Sequence, residues 1–250
     1  GLVGSEMCIR DRWYTNKPLG EIEQVEHTYA VIGNMNEHQL TVVESTWGGR
    51  PELVDTTGII DYGSLMQLAL ERAKTAREAI KVMTGLVKKY GYYSSGESFT
   101  IADPNEAWIL DLIGKGPGRR GAVWVAVRIP DDCIAGHANY PRIHKIPMDD
   151  KENCLYSPDV ISFAREMGYF DGLNKDFSFA RAYSPADFGA LRACDARVWS
   201  FFRKYDSTMD NYLPYVNGES AEPFPLYVKP SRKLSVQDMK EACLLYTSPS

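Results

Sequence analysis

Two runs of strand-forming residues around a short polar connection constrain the fold of this chain most. The runs are His27–Gly33 and Gln39–Ser45, and residues 34–38 between them read Asn-Met-Asn-Glu-His. Polar and apolar side chains alternate along the first run, and the glycine and asparagine at the bend tolerate a left-handed backbone. The pattern predicts a β-hairpin that displays Asn36 at its tip. Because an amide N–H can stabilise a developing oxyanion, Asn36 is a candidate catalytic residue.

Elsewhere strands and helices come in blocks and do not alternate strictly, which indicates an α+β fold with an antiparallel sheet. The predicted helices are Asp61–Ala73, one that begins after Thr75 and stops at Gly91, a short one between Ser157 and Gly168, Gly189–Lys204 and one capped by Ser235. The predicted strands after the hairpin are Ser98–Ala102, Ala107–Ile113, Ala122–Ile129 and Ile134–Ile146.

Composition narrows the class of protein. Hydrophobic residues make up 44% and charged residues 24% of the 250 positions, which is typical of a globular domain. The net charge of −5 comes without a basic stripe, which argues against nucleic acid as a partner. No apolar run approaches the length of a membrane span, so no membrane partner is expected.

The cysteines indicate neither a disulfide framework nor a metal site. Cys133, Cys154 and Cys194 are widely spaced and form no CxxC motif. The pairs Glu26-His27 and Glu37-His38 do not form HExxH, so no zinc site and no other cofactor is expected. The pattern is compatible with a reducing compartment such as the cytoplasm.

The two ends resemble the translation of a sequencing adapter. They are residues 1–12, GLVGSEMCIRDR, and residues 243–250, CLLYTSPS. We therefore expect both ends to be non-native and to be exposed or irregular in structure. The remaining residues 13–242 are enough for one domain with a substantial core, and we expect this domain to be partial.

Several phrases within residues 13–242 occur in a fixed order: EQVEHTYA, GNMNEHQL, GESFTIADPNEAWILDLI, CLYSPDVISFAREMGYFD and PFPLYVKPSRKLSVQDM. In wording and order they resemble peptidase family C69, the dipeptidase A and secernin group of N-terminal-nucleophile hydrolases. The resemblance implies an αββα sandwich and a cysteine-type dipeptidase whose substrate is a short peptide. The resemblance does not decide the oligomeric state, and a homo-oligomer is compatible with it.

The resemblance also implies the mechanism. In this family the first residue of the mature chain is a cysteine that attacks the amide carbonyl, and its own α-amino group, with a pKa near about 8, is the base. In family order that cysteine lies upstream of Trp13, so the chain as given is expected to be inactive. Internal cysteines have no free α-amino group and are not expected to replace it.

Three site residues follow from the same resemblance. Asn36 matches the asparagine of a Met-Asn-Glu turn, and Asn139 in GHANYPRI matches the asparagine of a Thr-Asn-x-Pro segment. Both segments supply oxyanion donors in the related bile-salt and penicillin V hydrolases. Arg197 in ARVWSFF matches an arginine near the nucleophile, for which Arg192 is the competing choice. If both asparagines serve one oxyanion, they should lie within ~10 Å of each other, with Arg197 in the same open cleft.

Two other functions stay open at this point. The same fold and mechanism could cleave a non-peptide amide such as an N-acyl compound. A secernin-like protein would instead act in regulated secretion through protein contacts, without catalysis.

Overall fold

The computed structural model describes residues 8–12 and 17–244. Its main element is a sheet of seven antiparallel strands in the order β10-β8-β7-β6-β5-β4-β3. Two further two-stranded sheets are β1-β2 and β11-β9. The strands are β1 (Cys8–Arg12), β2 (Lys17–Ile22), β3 (Val31–Ile32), β4 (Met35–Asn36), β5 (Thr41–Trp47), β6 (Gly96–Ala102), β7 (Ala107–Gly114), β8 (Ala122–Ile129), β9 (Ile134–Ala135), β10 (Cys154–Tyr156) and β11 (Tyr227–Val228).

The helices vary more in length than the strands. They are α1 (Tyr62–Arg72), α2 (Ala76–Tyr90), α3 (Ser162–Glu166), α4 (Phe179–Tyr183), α5 (Ala196–Arg203), α6 (Leu213–Val216) and α7 (Val236–Leu244). A π-helical turn, Ala190–Asp195, leads directly into α5, so the predicted helix over this region is confirmed with an irregular first half. Among the described helices, none is both long and apolar enough to cross a bilayer.

Local signals explain the two longest helices. The Asp61 carboxylate accepts from Ser64 N at 2.7 Å and begins α1. Thr75 Oγ1 accepts from Glu78 N while a Glu78 carboxylate oxygen accepts from Lys74 N, a reciprocal arrangement close to a capping box that begins α2 where the sequence predicts. Gly91, with φ +79°, ends α2 in a conformation that favours glycine.

Strand alternation gives the seven-stranded sheet two distinct faces. On the helix face, Val42, Phe99 and Leu110 belong to one apolar core with α1 and α2. On the opposite face, Trp47 and Ile109 pack with residues of α3 and α4 in a second core. A third core lies around α5, α6 and β11. The architecture is a mixed fold with a large antiparallel sheet, compatible with the α+β prediction.

The predicted first hairpin needs correction. The connection 34–38 contains a strand of its own, β4, and the bend is the tight turn at Gly33, where φ is +58°. Asn36 therefore lies within the sheet and is only 5% exposed, whereas the sequence predicted that it would be displayed at a tip. The left-handed backbone expected at the bend is present at Gly33, but a second turn at residues 37–38 follows β4, and Gln39 after it has φ +62°.

The predicted strand Ile134–Ile146 is also wrong. Only Ile134 and Ala135 form a strand, β9, and it pairs with β11 outside the main sheet. Further along this segment, the backbone N–H groups of Arg142 and Ile143 donate to a side chain and not to a neighbouring strand. Their acceptor is Oδ2 of Asp111, at 2.9 and 2.8 Å.

The adapter-like ends are only partly described. Residues 8–12 form β1, which pairs with β2, so their backbone is regular, and the expectation that they are exposed or irregular depends on the exposure of their side chains. The side chains of Ile9 and Leu244, which test whether the ends pack, lie outside the described residues.

Candidate active site

A row of polar side chains crosses the opposite face of the sheet. Ser45, Ser98 and Asp111 are cross-strand neighbours on β5, β6 and β7. Asp111 is fully buried. Its carboxylate accepts hydrogen bonds from the Ser98 hydroxyl at 2.5 Å and from the backbone N–H groups of residues 142 and 143. Burial raises the pKa of Asp111 to about 6, against these hydrogen bonds, which lower it. The row thus anchors the irregular segment that carries Asn139.

His137 bridges two strands beneath that segment. Its Nδ1 lies 2.6 Å from Ser45 Oγ and its Nε2 lies 2.9 Å from Thr100 Oγ1. Burial, and then the charge of Arg142, lower the pKa of His137 to about 4, so the ring is neutral at pH 7. Both ring nitrogens contact hydroxyls and neither contacts a carboxylate, so the geometry is that of a clamp and differs from a Ser-His-Asp triad.

Asn139 lies at the surface above this clamp with an unusual backbone. Its φ is +54°, one of two non-glycine residues with positive φ in the described chain. Its N–H donates to Ser45 Oγ at 3.3 Å and its Nδ2 donates to Thr46 O at 2.5 Å. The second amide hydrogen has no partner among the described residues, so it is free to donate to a ligand.

Arg197 on α5 holds the other end of the same amide. Its Nη2 donates to Asn139 Oδ1 at 2.7 Å and to the Ala138 carbonyl at 3.0 Å. The competing Arg192 instead donates to Asn217 Oδ1 at 2.9 Å. Two of the three predicted site residues, 58 positions apart, are therefore in direct contact.

Asn36 does not join them. Its Nδ2 donates to the carbonyls of Leu70 and Ala73 at 2.8 Å each, and its Oδ1 accepts from His38 N and Leu40 N. These bonds place Asn36 on the helix face at the end of α1, whereas Asn139 bonds Ser45 on the opposite face. Ser45 is five residues from Leu40, about 15 Å along a strand. The expected convergence of the two asparagines within ~10 Å is wrong.

Both hydrogens of the Asn36 amide are donated to backbone carbonyls, so in this structure it closes the last turn of α1. The physical reason is strand alternation. Met35 pairs with Thr41 and shares the opposite face with Ser45, so its neighbour Asn36 must point toward the helices.

An ion pair lies behind the site. Arg142 Nη1 donates to Asp195 Oδ1 at 2.7 Å, and both side chains are completely buried. Sequence reasoning missed this pair, and it also missed Asp111 and His137. A signal existed for Asp111, since it is the one charged residue in the otherwise apolar strand β7, and a buried charge needs dedicated partners.

A second polar cluster lies on the helix face at the same end of β5. Thr46 Oγ1 donates to Glu97 Oε1 at 2.8 Å and lies 3.5 Å from Glu44 Oε2. Glu97 is fully buried, and its Oε2 has no partner among the described residues. Burial is the main cause that raises the pKa of Glu97 to about 9, and nearby Glu44 adds to it.

Exposed apolar side chains continue the opposite face toward the sheet edge. Ile32 pairs with Met35 and Met35 with Thr41, two residues before Val43. Ile32 is 88% exposed, Met35 47% and Val43 39%. These three residues form an exposed apolar strip beside the Ser45–Asn139 region, as expected for an open cleft.

Two of the described cysteines, Cys133 and Cys154, are not activated nucleophiles. Cys154 is buried, which raises its pKa to about 11. Partial burial, and then Asp132, raise the pKa of Cys133. Across residues 8–12 and 17–244, no group of three or more His, Cys, Asp and Glu side chains is arranged to hold a metal ion.

Comparisons with known proteins agree with the resemblance. The chain is 29% identical over 210 residues to a probable dipeptidase of Salmonella dublin, and the matched region covers 81% of this chain and 45% of that protein. It is 27% identical over 230 residues to a probable dipeptidase of Latilactobacillus sakei, which covers 91% and 46%. A probable dipeptidase B of Streptococcus pyogenes serotype M1 is 28% identical over 122 residues, 49% of this chain and 23% of that protein.

The chain thus spans less than half the length of the relatives it matches. The sequence profile of one family, described as peptidase family C69, matches residues 9–244. Because this match covers nearly all of the chain and its order agrees with the phrases found in the sequence, the chain belongs to peptidase family C69.

Proposed function

We propose that this chain is part of a dipeptidase that hydrolyses the peptide bond of short peptides through an acyl-enzyme on an N-terminal cysteine. Membership in family C69 supports the reaction class, and the names of three relatives support the substrate class. The nucleophile and its α-amino base belong to a segment upstream of Trp13, so residues 1–250 alone do not hydrolyse peptides.

The hydrogen bond between Arg197 and Asn139 carries the proposal. Because the guanidinium can only donate, Asn139 Oδ1 must face Arg197 and Nδ2 must face the other way. One Nδ2 hydrogen is used by Thr46 O, and the other is the oxyanion donor. Arg197 acts on the reaction through Asn139, as a positioning residue.

The αββα sandwich is part of the proposal. Among the described strands, β4 pairs with β5 only at Thr41, so the edge of β5 beside Asn139 can accept another strand. The exposed apolar strip on the same face supports a second layer there. That arrangement brings the cysteine strand beside Asn139, which the attack on a carbonyl requires.

The test compares this chain with the longer protein that includes the upstream segment. We expect Ala-Ala hydrolysis by the longer protein only, and a loss of about 10²–10³ in kcat with Asn139→Ala. Arg197→Met should lower kcat with little change in KM, while Arg192→Met, on the same helical segment, should change neither.

Hydrolysis by residues 1–250 at the rate of the longer protein would overturn the N-terminal-nucleophile mechanism. Cleavage of N-acyl compounds in preference to Ala-Ala would favour the non-peptide amide hydrolase. A longer protein with no hydrolase activity and an intact amino-terminal cysteine would favour a secernin-like role.

A further inference from the structure

We propose that His137 and Ser45 are positioning residues for the peptide hydrolysis proposed above. Together they hold the backbone of Asn139, so that its side-chain amide faces the carbonyl under attack. The inference rests on the proposed function, because Asn139 is the oxyanion donor of that function. Neither His137 nor Ser45 contacts the substrate, and both act through Asn139.

The first observation is the backbone of Asn139. Its φ of +54° lies in the left-handed region, which is disfavoured for residues that carry a Cβ atom. The N–H group and the Cβ atom of a residue lie at opposite ends of the bond about which φ is measured. Ser45 Oγ holds the N–H group at 3.3 Å, while Thr46 and Arg197 hold the side-chain amide. These contacts together fix φ, so the loss of Ser45 would release one end.

The second observation is that Ser45 is held in turn. Its Oγ lies 2.6 Å from His137 Nδ1, and the other ring nitrogen lies 2.9 Å from Thr100 Oγ1. Ser45 on β5 pairs with Ser98 on β6, and Thr100 lies two residues further along β6 on the same face. The ring therefore spans two neighbouring strands of the seven-stranded sheet. It fixes a hydroxyl that would otherwise turn among three rotamers.

The neutral ring of His137 suits this role. Burial, and then the charge of Arg142, lower its pKa to about 4, so the ring is uncharged at pH 7. A neutral imidazole has one donor and one acceptor nitrogen, and a hydroxyl can either donate or accept. Ser45 can therefore bond Nδ1 in either tautomer and still accept from the Asn139 N–H group. His137 thus acts on Asn139 through geometry and not through charge.

The arrangement also decides which N–H group of Asn139 faces a ligand. Its backbone N–H group donates to Ser45, and one Nδ2 hydrogen donates to the Thr46 carbonyl. Arg197 bonds Oδ1 of the same amide. The second Nδ2 hydrogen is then the one donor of Asn139 that no described residue takes. Since its neighbours are fixed, this donor has a fixed direction, which is what preorganised stabilisation of an oxyanion requires.

The experiment divides the two ring contacts of His137 between two variants. The amide of an asparagine reaches the place of Nδ1 in a histidine, and the amide of a glutamine reaches the place of Nε2. In the longer protein, His137→Gln should lower kcat for Ala-Ala about 10–100-fold and change KM less than about twofold, because the Ser45 contact is lost. His137→Asn keeps that contact and should restore kcat to within about threefold of the wild type.

Ser45 variants test the same contact from its other side. Ser45→Ala removes the hydroxyl and should match His137→Gln, with a lower kcat and a nearly unchanged KM. Ser45→Thr keeps a hydroxyl and should match His137→Asn. These two variants also keep the test decisive if circular dichroism shows that His137→Gln does not fold.

His144 is the matched control. It is half-buried like His137, and its Nδ1 lies 3.0 Å from the Oγ of Ser178, which caps α4. His144→Gln and His144→Asn should both leave kcat unchanged. Equal values of kcat for His137→Gln and His137→Asn would overturn the inference. So would an unchanged kcat for Ser45→Ala, since the other partners of Asn139 would then suffice.

A second measurement uses the 250-residue chain and needs no turnover. In nuclear magnetic resonance spectra of the isotope-labelled chain, the two side-chain N–H signals of Asn139 are assigned by their loss in Asn139→Gly. We expect one sharp pair in the wild type and in His137→Asn, and a shifted or broadened pair in Ser45→Ala and His137→Gln. Identical signals in all four proteins would contradict the positioning role. If the signals change as expected but the longer protein hydrolyses no peptide, the proposed function is wrong and the positioning of Asn139 by His137 stands.

Discussion

Arg142 and Asp195 form a completely buried ion pair with 2.7 Å between Nη1 and Oδ1. Other groups also bond the pair: Arg142 donates to the carbonyl of Pro225 at 2.9 Å, and Asp195 accepts from the Tyr215 hydroxyl at 2.9 Å. The buried Nε of Arg142 has no hydrogen-bond partner among the described residues. The guanidinium lies over the ring of Phe224, 3.9 Å from its centroid. One ion pair thus connects the Asn139 segment, the turn before α5 and the chain near β11.

Breaking this ion pair should be strongly destabilising. We expect Asp195→Asn to lower the free energy of unfolding by about 3–5 kcal/mol, because it leaves a buried guanidinium without its counter-charge. Asp210→Asn, which removes the exposed partner of Arg203, should cost at most about 1 kcal/mol. Urea unfolding of both variants measures the difference, and equal costs would contradict the account of the buried pair.

Asn36 should matter for stability and not directly for catalysis. Asn36→Ala removes four hydrogen bonds at a buried position and should cost about 2–4 kcal/mol. Asn217→Ala, at an exposed asparagine that accepts from Arg192, is the control and should cost far less. A stable Asn36→Ala protein whose longer form had lost hydrolysis would restore the oxyanion role for Asn36.

The backbone and the side chain of Asn139 should be separable. Asn139→Gly keeps the left-handed conformation at φ +54°, whereas Asn139→Ala must adopt it at a cost of about 1 kcal/mol. We therefore expect thermal denaturation to show Asn139→Gly as the more stable variant. Both should lose hydrolysis equally in the longer protein, since both lack the amide. Unequal losses would mean that the backbone conformation itself matters for turnover.

Two half-buried histidines with lowered pKa values should make the fold sensitive to acid. Burial, and then Arg142, lower the pKa of His137 to about 4 and that of His144 to about 3, against about 6.5 in an unfolded chain. Below pH about 6.5 the unfolded chain binds more protons than the folded chain. Each histidine should then reduce the free energy of unfolding by up to about 1.4 kcal/mol per pH unit as the pH falls toward 4.

Urea unfolding between pH 7 and 4.5 checks this slope by comparing the wild type with His137→Gln. The variant should be less stable at pH 7 and should lose less stability on acidification. His27→Gln, at an exposed histidine, should follow the wild type at every pH. A parallel slope for His137→Gln would show that His137 is protonated in the folded chain.

The sequence alone was sufficient for elements whose signals are local. Asp61, Thr75 and Gly91 lie at the helix ends that their chemistry predicts. Asp103 accepts from the N–H groups of Asn105 and Glu106 in the predicted turn between β6 and β7. The family was also readable, because its phrases occur in order along the chain. Each of these signals depends on residues close together in sequence.

Tertiary structure decided which polar residues meet. Whether Asn36 points toward α1 or toward Ser45 depends on a one-residue register, which reverses every side chain on a strand. The contact of Arg197 with Asn139 spans 58 positions, and that of Arg142 with Asp195 spans 53. No local preference encodes such pairs, because their geometry arises only when α5 and the Asn139 segment pack on the same sheet.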